Sequence, residues 1–337
     1  MNLARFERLM RSAVRELQLE LAGTSVLTAS GTNAFLATPL LAALGGATTY
    51  TLCADSPYGT AREVAASTET WAKRLGVEVR ILFDRSELPE NIDIVTNLGH
   101  VRPIDAALVS RLSPRGVVSY MCEAWEWREG DVDRDACEAR GVLVAGHSED
   151  FAGHDVFETC GQLLLFMCFE AGLSVRRDRI AVLGNDRFAL VLARALHHNG
   201  AQVVRVTSPA GLDEQLVRSL DGLVVADYTH LGTLLGGPEG PRPAEIGAWN
   251  PALVVIPFAG RSDAQALRAA GVQLTPDVEL PPVRMAKTLA HLGLRPTVQL
   301  LAQGLKAGEL LHRIRGGAVP DPVWRSFLQP IVGTLPW

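Results

Sequence analysis

The sequence has little that would tie the protein to a membrane, to nucleic acid or to an oxidising compartment. No stretch approaches ~18 consecutive apolar residues, the length a membrane-spanning helix needs. Positive charge is not in excess: 32 Lys and Arg stand against 37 Asp and Glu, a net charge of −5. A general phosphate-neutralising surface, and with it nucleic acid as a partner, is therefore not expected. The five cysteines, Cys53, Cys122, Cys137, Cys160 and Cys168, include no CxxC pair. That spacing points away from a disulfide framework and a zinc knuckle, and no metal is expected. The opening MNLARFERLMRSAVRELQLELAG interleaves Arg and Glu on an amphipathic helix and does not read as a signal peptide. A cytoplasmic protein that handles a small-molecule substrate is the expectation.

What is present is apolar mass and a regular alternation. The chain has 337 residues, 47% hydrophobic and 20% charged, enough for two cores. After the first helix, Ser25 to Ser30 reads as a strand, Gly31-Thr32-Asn33 as a turn, Ala34 to Leu44 as a helix and Thr48 to Cys53 as a strand, with Asp55 just beyond. Helices and strands continue to alternate to about residue 145, the pattern of a parallel sheet covered on both faces. The run SEDFAGHDVFETCGQLLLFMCFEAG, from Glu149 to about Gly172, reads as one long helix. It presents His154 and Glu158 on one face, with His147 seven residues before His154. A substrate contact or proton donor at His154 or Glu158 is the reading of that face. A long helix from about Pro296 to Ile314 and a Pro- and Trp-containing surface tail end the chain. The fold class read from this is α/β: two Rossmann-like or flavodoxin-like parallel-sheet domains with an interdomain cleft. The boundaries fall at 1–148, 149–300 and 301–337, with the last segment packing back on the first domain.

The most informative stretch is Arg179 to Ser208, RIAVLGNDRFALVLARALHHNGAQVVRVTS. It reads as a buried strand, a tight turn at Gly184, a helix from Phe188 to His198 and a second strand from Val203 to Val206. In a βαβ opening the helix N-terminus favours a phosphate. Against the dinucleotide fingerprint GxGxxG or GxGxxA, Gly184 and Ala189 fit, whereas Asp186 stands where a second glycine would let a pyrophosphate approach. The candidate cofactor residues are Gly184, Asn185, Asp186, Arg187, Phe188, Thr207 and Ser208. No acid follows Val206 to hold a ribose 2′-hydroxyl, so NAD and NADP both remain open.

The order of these pieces, with Asp131-Val132-Asp133 leading through a helix to Gly141-Val142-Leu143-Val144, resembles the D-isomer-specific 2-hydroxyacid dehydrogenases, a group that includes formate and glycerate dehydrogenases. The resemblance runs over roughly residues 104 to 300. It implies a substrate domain followed by a nicotinamide domain, an NAD(P)-dependent oxidoreductase acting on a small hydroxy, keto or imino compound, and a homodimer. It also implies a catalytic Arg, Glu and His, for which Arg261 in PFAGRSDAQAL, Glu279 in PDVELPP and His291 in LAHLGLRPT are the matching positions. An imidazole with a carboxylate partner suits proton transfer to an alcohol oxygen.

Where the family has a glycine-rich loop, this chain has Tyr120-Met121-Cys122-Glu123-Ala124-Trp125-Glu126-Trp127-Arg128. Lining a cleft, Glu123 and Glu126 would favour an amine or a polyhydroxylated substrate, and Trp125 would supply an apolar wall. Together with Thr32, Asn33 and His154, these are the candidate substrate-binding residues. A second reading stands beside the dehydrogenase: a non-redox enzyme or ligand-binding protein on a vestigial dehydrogenase scaffold, its site at Ser30 to Asn33 and Glu123 to Arg128.

Overall fold

A computed structural model describes residues 2–151 and 154–337, the side chains of residues 154 and 155 excepted. The chain divides into two compact units, Met1–Val156 with Gly293–Trp337, and Phe157–Leu292. The crossings therefore fall at 156/157 and 292/293, later and earlier respectively than the sequence boundaries at 148 and 300.

The first unit contains α1 (Leu3–Glu16), β1 (Ser25–Ala29), α2 (Ala37–Leu44), β2 (Thr48–Leu52), α3 (Ala61–Leu75), β3 (Arg80–Leu82), β4 (Ile92–Thr96), α4 (Ala106–Ser110), β5 (Leu112–Ser119), α5 (Arg134–Ala139), β6 (Val144–His147), β7 (Asp150–Phe151) and β8 (His154–Asp155). The second unit contains α6 (Thr159–Glu170), β9 (Arg179–Leu183), α7 (Arg187–His198), β10 (Gln202–Val206), α8 (Glu214–Arg218), β11 (Gly222–Ala226), β12 (Thr233–Leu235), α9 (Pro243–Trp249), β13 (Val254–Ala259), β14 (Arg261–Ser262), α10 (Ala264–Ala269) and β15 (Gln273–Leu274). The chain then returns to the first unit as α11 (Leu294–Arg315), α12 (Pro322–Phe327) and β16 (Leu328–Val332).

In the first unit seven strands lie in the order β16-β6-β5-β4-β1-β2-β3. All pairs but the β16–β6 edge are parallel. Apolar residues fill both faces, as a parallel sheet requires. On one face Val26, Ile94, Val117 and Ala145 meet α1, α2 and the buried face of α11, through Phe6, Leu40 and Leu305. On the other, Leu27, Val95, Val118 and Val144 meet Leu108 of α4 and Cys137 of α5. The second unit holds five parallel strands, β10-β9-β11-β13-β15. The α/β class with two parallel-sheet domains, as expected, is the fold of this chain.

Helix ends follow local chemistry. Thr60 and Glu63 form a reciprocal capping box at the start of α3, and Gly76 closes that helix in the left-handed region. Two segments differ from expectation. The single helix read over 149–172 is instead a pair of two-residue strands followed by α6. Phe151 is buried in the first unit beside Trp324 and Phe327, whereas Phe157 packs on Phe188 of the second. One segment feeding two cores does not present one helical stripe. The tail is also not a surface appendage. β16 pairs antiparallel with β6 and buries Leu328 and Val332, so it completes the sheet.

Candidate functional site

Parallel sheets place ligands beyond the carboxyl ends of their strands, at the point where strand order reverses. In the second unit that point lies between β9 and β11. The turn after β9 begins with Gly184 at φ 152°, and a Cβ there would collide with the Ala226 carbonyl oxygen, so only glycine fits. Asp186 follows as the N-cap of α7: its Oδ1 accepts from the Ala189 N–H at 3.0 Å and its Oδ2 from the Tyr228 N–H at 2.6 Å. Asp227, just past β11, faces it. Its Oδ2 accepts from the Asn185 N–H at 3.1 Å, and its Oδ1 accepts from the Thr229 hydroxyl and the His230 N–H. Burial, with the Asp227 charge adding to it, holds the Asp186 carboxyl above its ordinary range.

This arrangement does not fit the pyrophosphate of a dinucleotide. The N–H groups of Asn185 and Ala189, which would receive a phosphate, are already taken by two carboxylates. A phosphate brought within ~4 Å of one carboxylate meets a repulsion on the order of 4 kcal/mol at an effective dielectric of 20. Phe188 is buried in a stack with Phe157 at 4.8 Å, Tyr228 at 5.3 Å and Phe258 at 5.9 Å, so its side chain faces a core. The Arg187 guanidinium lies over the Phe157 ring at 4.1 Å. Thr207 and Ser208 are exposed at the end of β10. The sequence singled out Asp186 but missed Asp227, Tyr228, Phe157 and Phe258. The signal for Asp227 was its place directly after the apolar strand GLVVA.

The proposed catalytic trio is not brought together as a relay. Arg261 lies half-buried in β14, which pairs with β12. Glu279 is exposed. The His291 ring shares a hydrogen bond with the Thr288 carbonyl of its own turn, Nδ1 to O at 3.0 Å. Among the described residues no hydrogen bond joins Glu279 to His291, and the ring is held by its own turn.

The first unit offers a different arrangement. Its strand order reverses between β1 and β4, and the turn after β1 lines a cleft of about 610 Å³ with Thr32, Asn33, Glu63, Ser67, Thr70 and Trp71 among its walls. Asn33 adopts the left-handed conformation at φ 53° and opens a short 3₁₀ turn. Glu63 is tied to the Thr60 N–H and hydroxyl at 2.8 Å, bonds that hold its carboxyl below the ordinary range. Asp55, just beyond β2, accepts from the Ala61 N–H at 2.7 Å and fastens the start of α3.

The loop after β5 is built inward. Glu123 is 2% exposed, accepts from the Glu149 N–H at 3.1 Å and from the Trp125 indole N–H, and caps its own turn with Glu126. Tyr120 stacks on Trp127 at 5.4 Å and donates its hydroxyl to the Glu126 carbonyl. Glu123 is thus a structural clasp rather than an open substrate contact. Trp125 remains partly exposed. His154 lies in β8, its side chain outside the described residues. Glu158 precedes α6 and pairs with Arg194.

No family model matches the sequence, and no curated protein matches it. Among solved structures, the chain is similar to a dipicolinate synthase structure from Bacillus halodurans, with a TM-score of 0.58 and 13% identity, covering 89% of this chain and 100% of that one. It is similar to the corresponding dipicolinate synthase polypeptide from Bacillus subtilis, with a TM-score of 0.57 and 14% identity over 89% and 100%. An NAD-dependent formate dehydrogenase from Staphylococcus aureus in complex with NAD aligns over 92% and 100%, with a TM-score of 0.45 and 12% identity. The two dipicolinate synthase structures establish the fold.

Proposed function

We propose that the chain is a small-molecule enzyme or binding protein on a dehydrogenase-like fold whose second unit no longer receives a dinucleotide. Its ligand sits in the first-unit cleft beside Thr32 and Asn33. The observation that carries this reading is the pair of carboxylates, Asp186 and Asp227, occupying the N–H groups at the start of α7. Among the ionisable groups lining the cleft, Glu63 is the one that carries charge at neutral pH, and with Thr32, Ser67 and Thr70 it suits a hydroxylated or amine-bearing ligand. The expected calorimetric result is no heat of binding for NAD⁺, NADH, NADP⁺ or NADPH. Small polyols and amines should bind, and Thr32→Val with Glu63→Gln should remove that binding. Tight binding of any of the four nucleotides would overturn the reading.

A second reading is supported by the sequence resemblance and by the βαβ order of the second unit: an NAD(P)-dependent oxidoreductase of small hydroxy or keto compounds, with Arg261, Glu279 and His291 as its working groups. Its signature is a nicotinamide absorbance change lost in His291→Ala. Either protein is proposed to be a homodimer, which sedimentation velocity measures directly. No described helix is long and apolar enough to cross a membrane.

A further inference from the structure

The Thr32 cleft carries an aromatic ring at its rim. Ser56 to Gly59 form a tight turn closed in both directions, with the Ser56 N–H on the Gly59 carbonyl at 3.0 Å and the Gly59 N–H on the Ser56 carbonyl at 3.3 Å. The Ser56 hydroxyl accepts from the Tyr58 N–H at 3.2 Å and fixes the tip. Glycine at 59 lets this turn rest on the cleft wall, since a Cβ there would lie 3.1 Å from Thr32 Cγ2 and 3.7 Å from Glu63 Oε2. Tyr58 is thereby carried next to Thr32 and Glu63. It is 83% exposed and lines the same cleft.

The two aromatic walls are not equivalent. Trp71 is buried, meets the Phe6 ring edge-on at 4.9 Å and carries the Arg74 guanidinium at 5.7 Å, which is itself paired with Glu7 at 3.1 Å. It closes the cleft as part of the core. Among the described residues Tyr58 meets no ring and no cation, so its phenol is free to cover a ligand. The polar groups divide as well. Glu63 Oε2 takes both bonds from Thr60, which leaves Oε1 to a ligand, and the nearby Asp55 adds a second negative charge. The Thr70 hydroxyl donates to the Ala66 carbonyl at 2.8 Å and has only its acceptor side left. The Thr32 hydroxyl caps nothing in the turn that follows it, and no cation lines the cleft.

An exposed phenol beside hydroxyls and a carboxylate offers an apolar face to C–H groups and charged acceptors to an amine. A polyhydroxylated ring uses both, whereas an open-chain polyol has no flat face to stack and loses more rotational freedom on binding. We propose that the cleft takes a polyhydroxylated ring bearing an amine, an aminosugar, with its C–H face on Tyr58 and its amine on Glu63. This assignment rests on ligand binding beside Thr32 and adds the ligand class and the residue that selects it. The cleft volume of about 610 Å³ lies within the ~300–1,000 Å³ usual for small-molecule sites.

Calorimetry on the full chain compares three probes: glucosamine, glucose, which has a hydroxyl in place of the amine, and glucosaminitol, which keeps the amine but has no ring. Wild type is expected to bind glucosamine about fivefold more tightly than glucosaminitol, a preference lost in Tyr58→Ala and kept in Tyr58→Phe. Glu63→Gln should remove the preference for glucosamine over glucose. Tyr58 is exposed, so Tyr58→Ala should keep the wild-type Tm. Glucosaminitol bound as tightly as glucosamine, or a ring preference that survives Tyr58→Ala, overturns the proposal and leaves binding beside Thr32 standing. Glucose bound as tightly as glucosamine overturns the amine assignment. If wild type binds none of the three, the aminosugar and the Thr32 cleft fall together.

Discussion

Replacing Asp186 tests the central structural claim, that a carboxylate of the chain itself stands where a cofactor phosphate would rest. Asp186→Ala removes the α7 N-cap, which costs about 1 kcal/mol. It also strands the Tyr228 N–H, now held at 2.6 Å, for about 1–3 kcal/mol more. Relief of the charge facing Asp227 returns part of this, leaving a net loss of roughly 2–3 kcal/mol. Asp186→Asn keeps one capping oxygen, and about 1 kcal/mol is expected. The pH dependence has a definite sign. The folded Asp186 pKa is raised above its ordinary 3.8, so its contribution is full below that value and is lost as pH rises through the folded pKa. The gap between wild type and Asp186→Asn should therefore narrow with rising pH. Urea denaturation followed by circular dichroism at several pH values measures both quantities. A loss below ~0.5 kcal/mol for Asp186→Ala, or a gap that widens with pH, would refute the clasp.

Other sites give independent checks. Gly184→Ala places a Cβ against the Ala226 carbonyl oxygen in a left-handed backbone, and limited proteolysis should show the second unit opened. Lys306 and Glu309 pair at 2.9 Å with side chains 4% and 3% exposed; burial lowers the lysine pKa and raises that of the glutamate. Lys306→Met alone should cost about 3–5 kcal/mol, while the Lys306→Met, Glu309→Leu double variant should recover most of it in a double-mutant cycle. His147 charges readily when unfolded but not when folded, so as pH falls from its ordinary 6.5 to about 4 it withdraws stability. At ~1.4 kcal/mol per pH unit this reaches about 3 kcal/mol, and the slope should vanish in His147→Phe.

Much of the scaffold was legible because it is encoded over a few residues. Thr60 with Glu63, Asp133 before α5, and Gly76 after α3 announce helix ends within one turn. The apolar runs of β1, β9 and β11 announce parallel strands buried on both faces. The same local reading failed at 149–172, where apolar residues serve two cores. It also failed at the tail, where Leu328 and Val332 are buried by a strand far back in the chain.

The candidate site divides along the same line. By itself the sequence determined an α/β chain, a βαβ opening at Arg179 to Ser208, and an acid at Asp186 in an unfavourable place for a phosphate. Local periodicity and turn chemistry carry that much. Only the tertiary structure decided what the acid does. Its partner, the Tyr228 N–H, lies 42 residues along the chain, and Asp227 reaches back over the same distance to Asn185. The parallel sheet places β9 beside β11 and so sets the two turns together. In the same way, nothing local to His147 reveals that Phe327 lies against its ring; that follows from α12 and β16 returning to the first sheet.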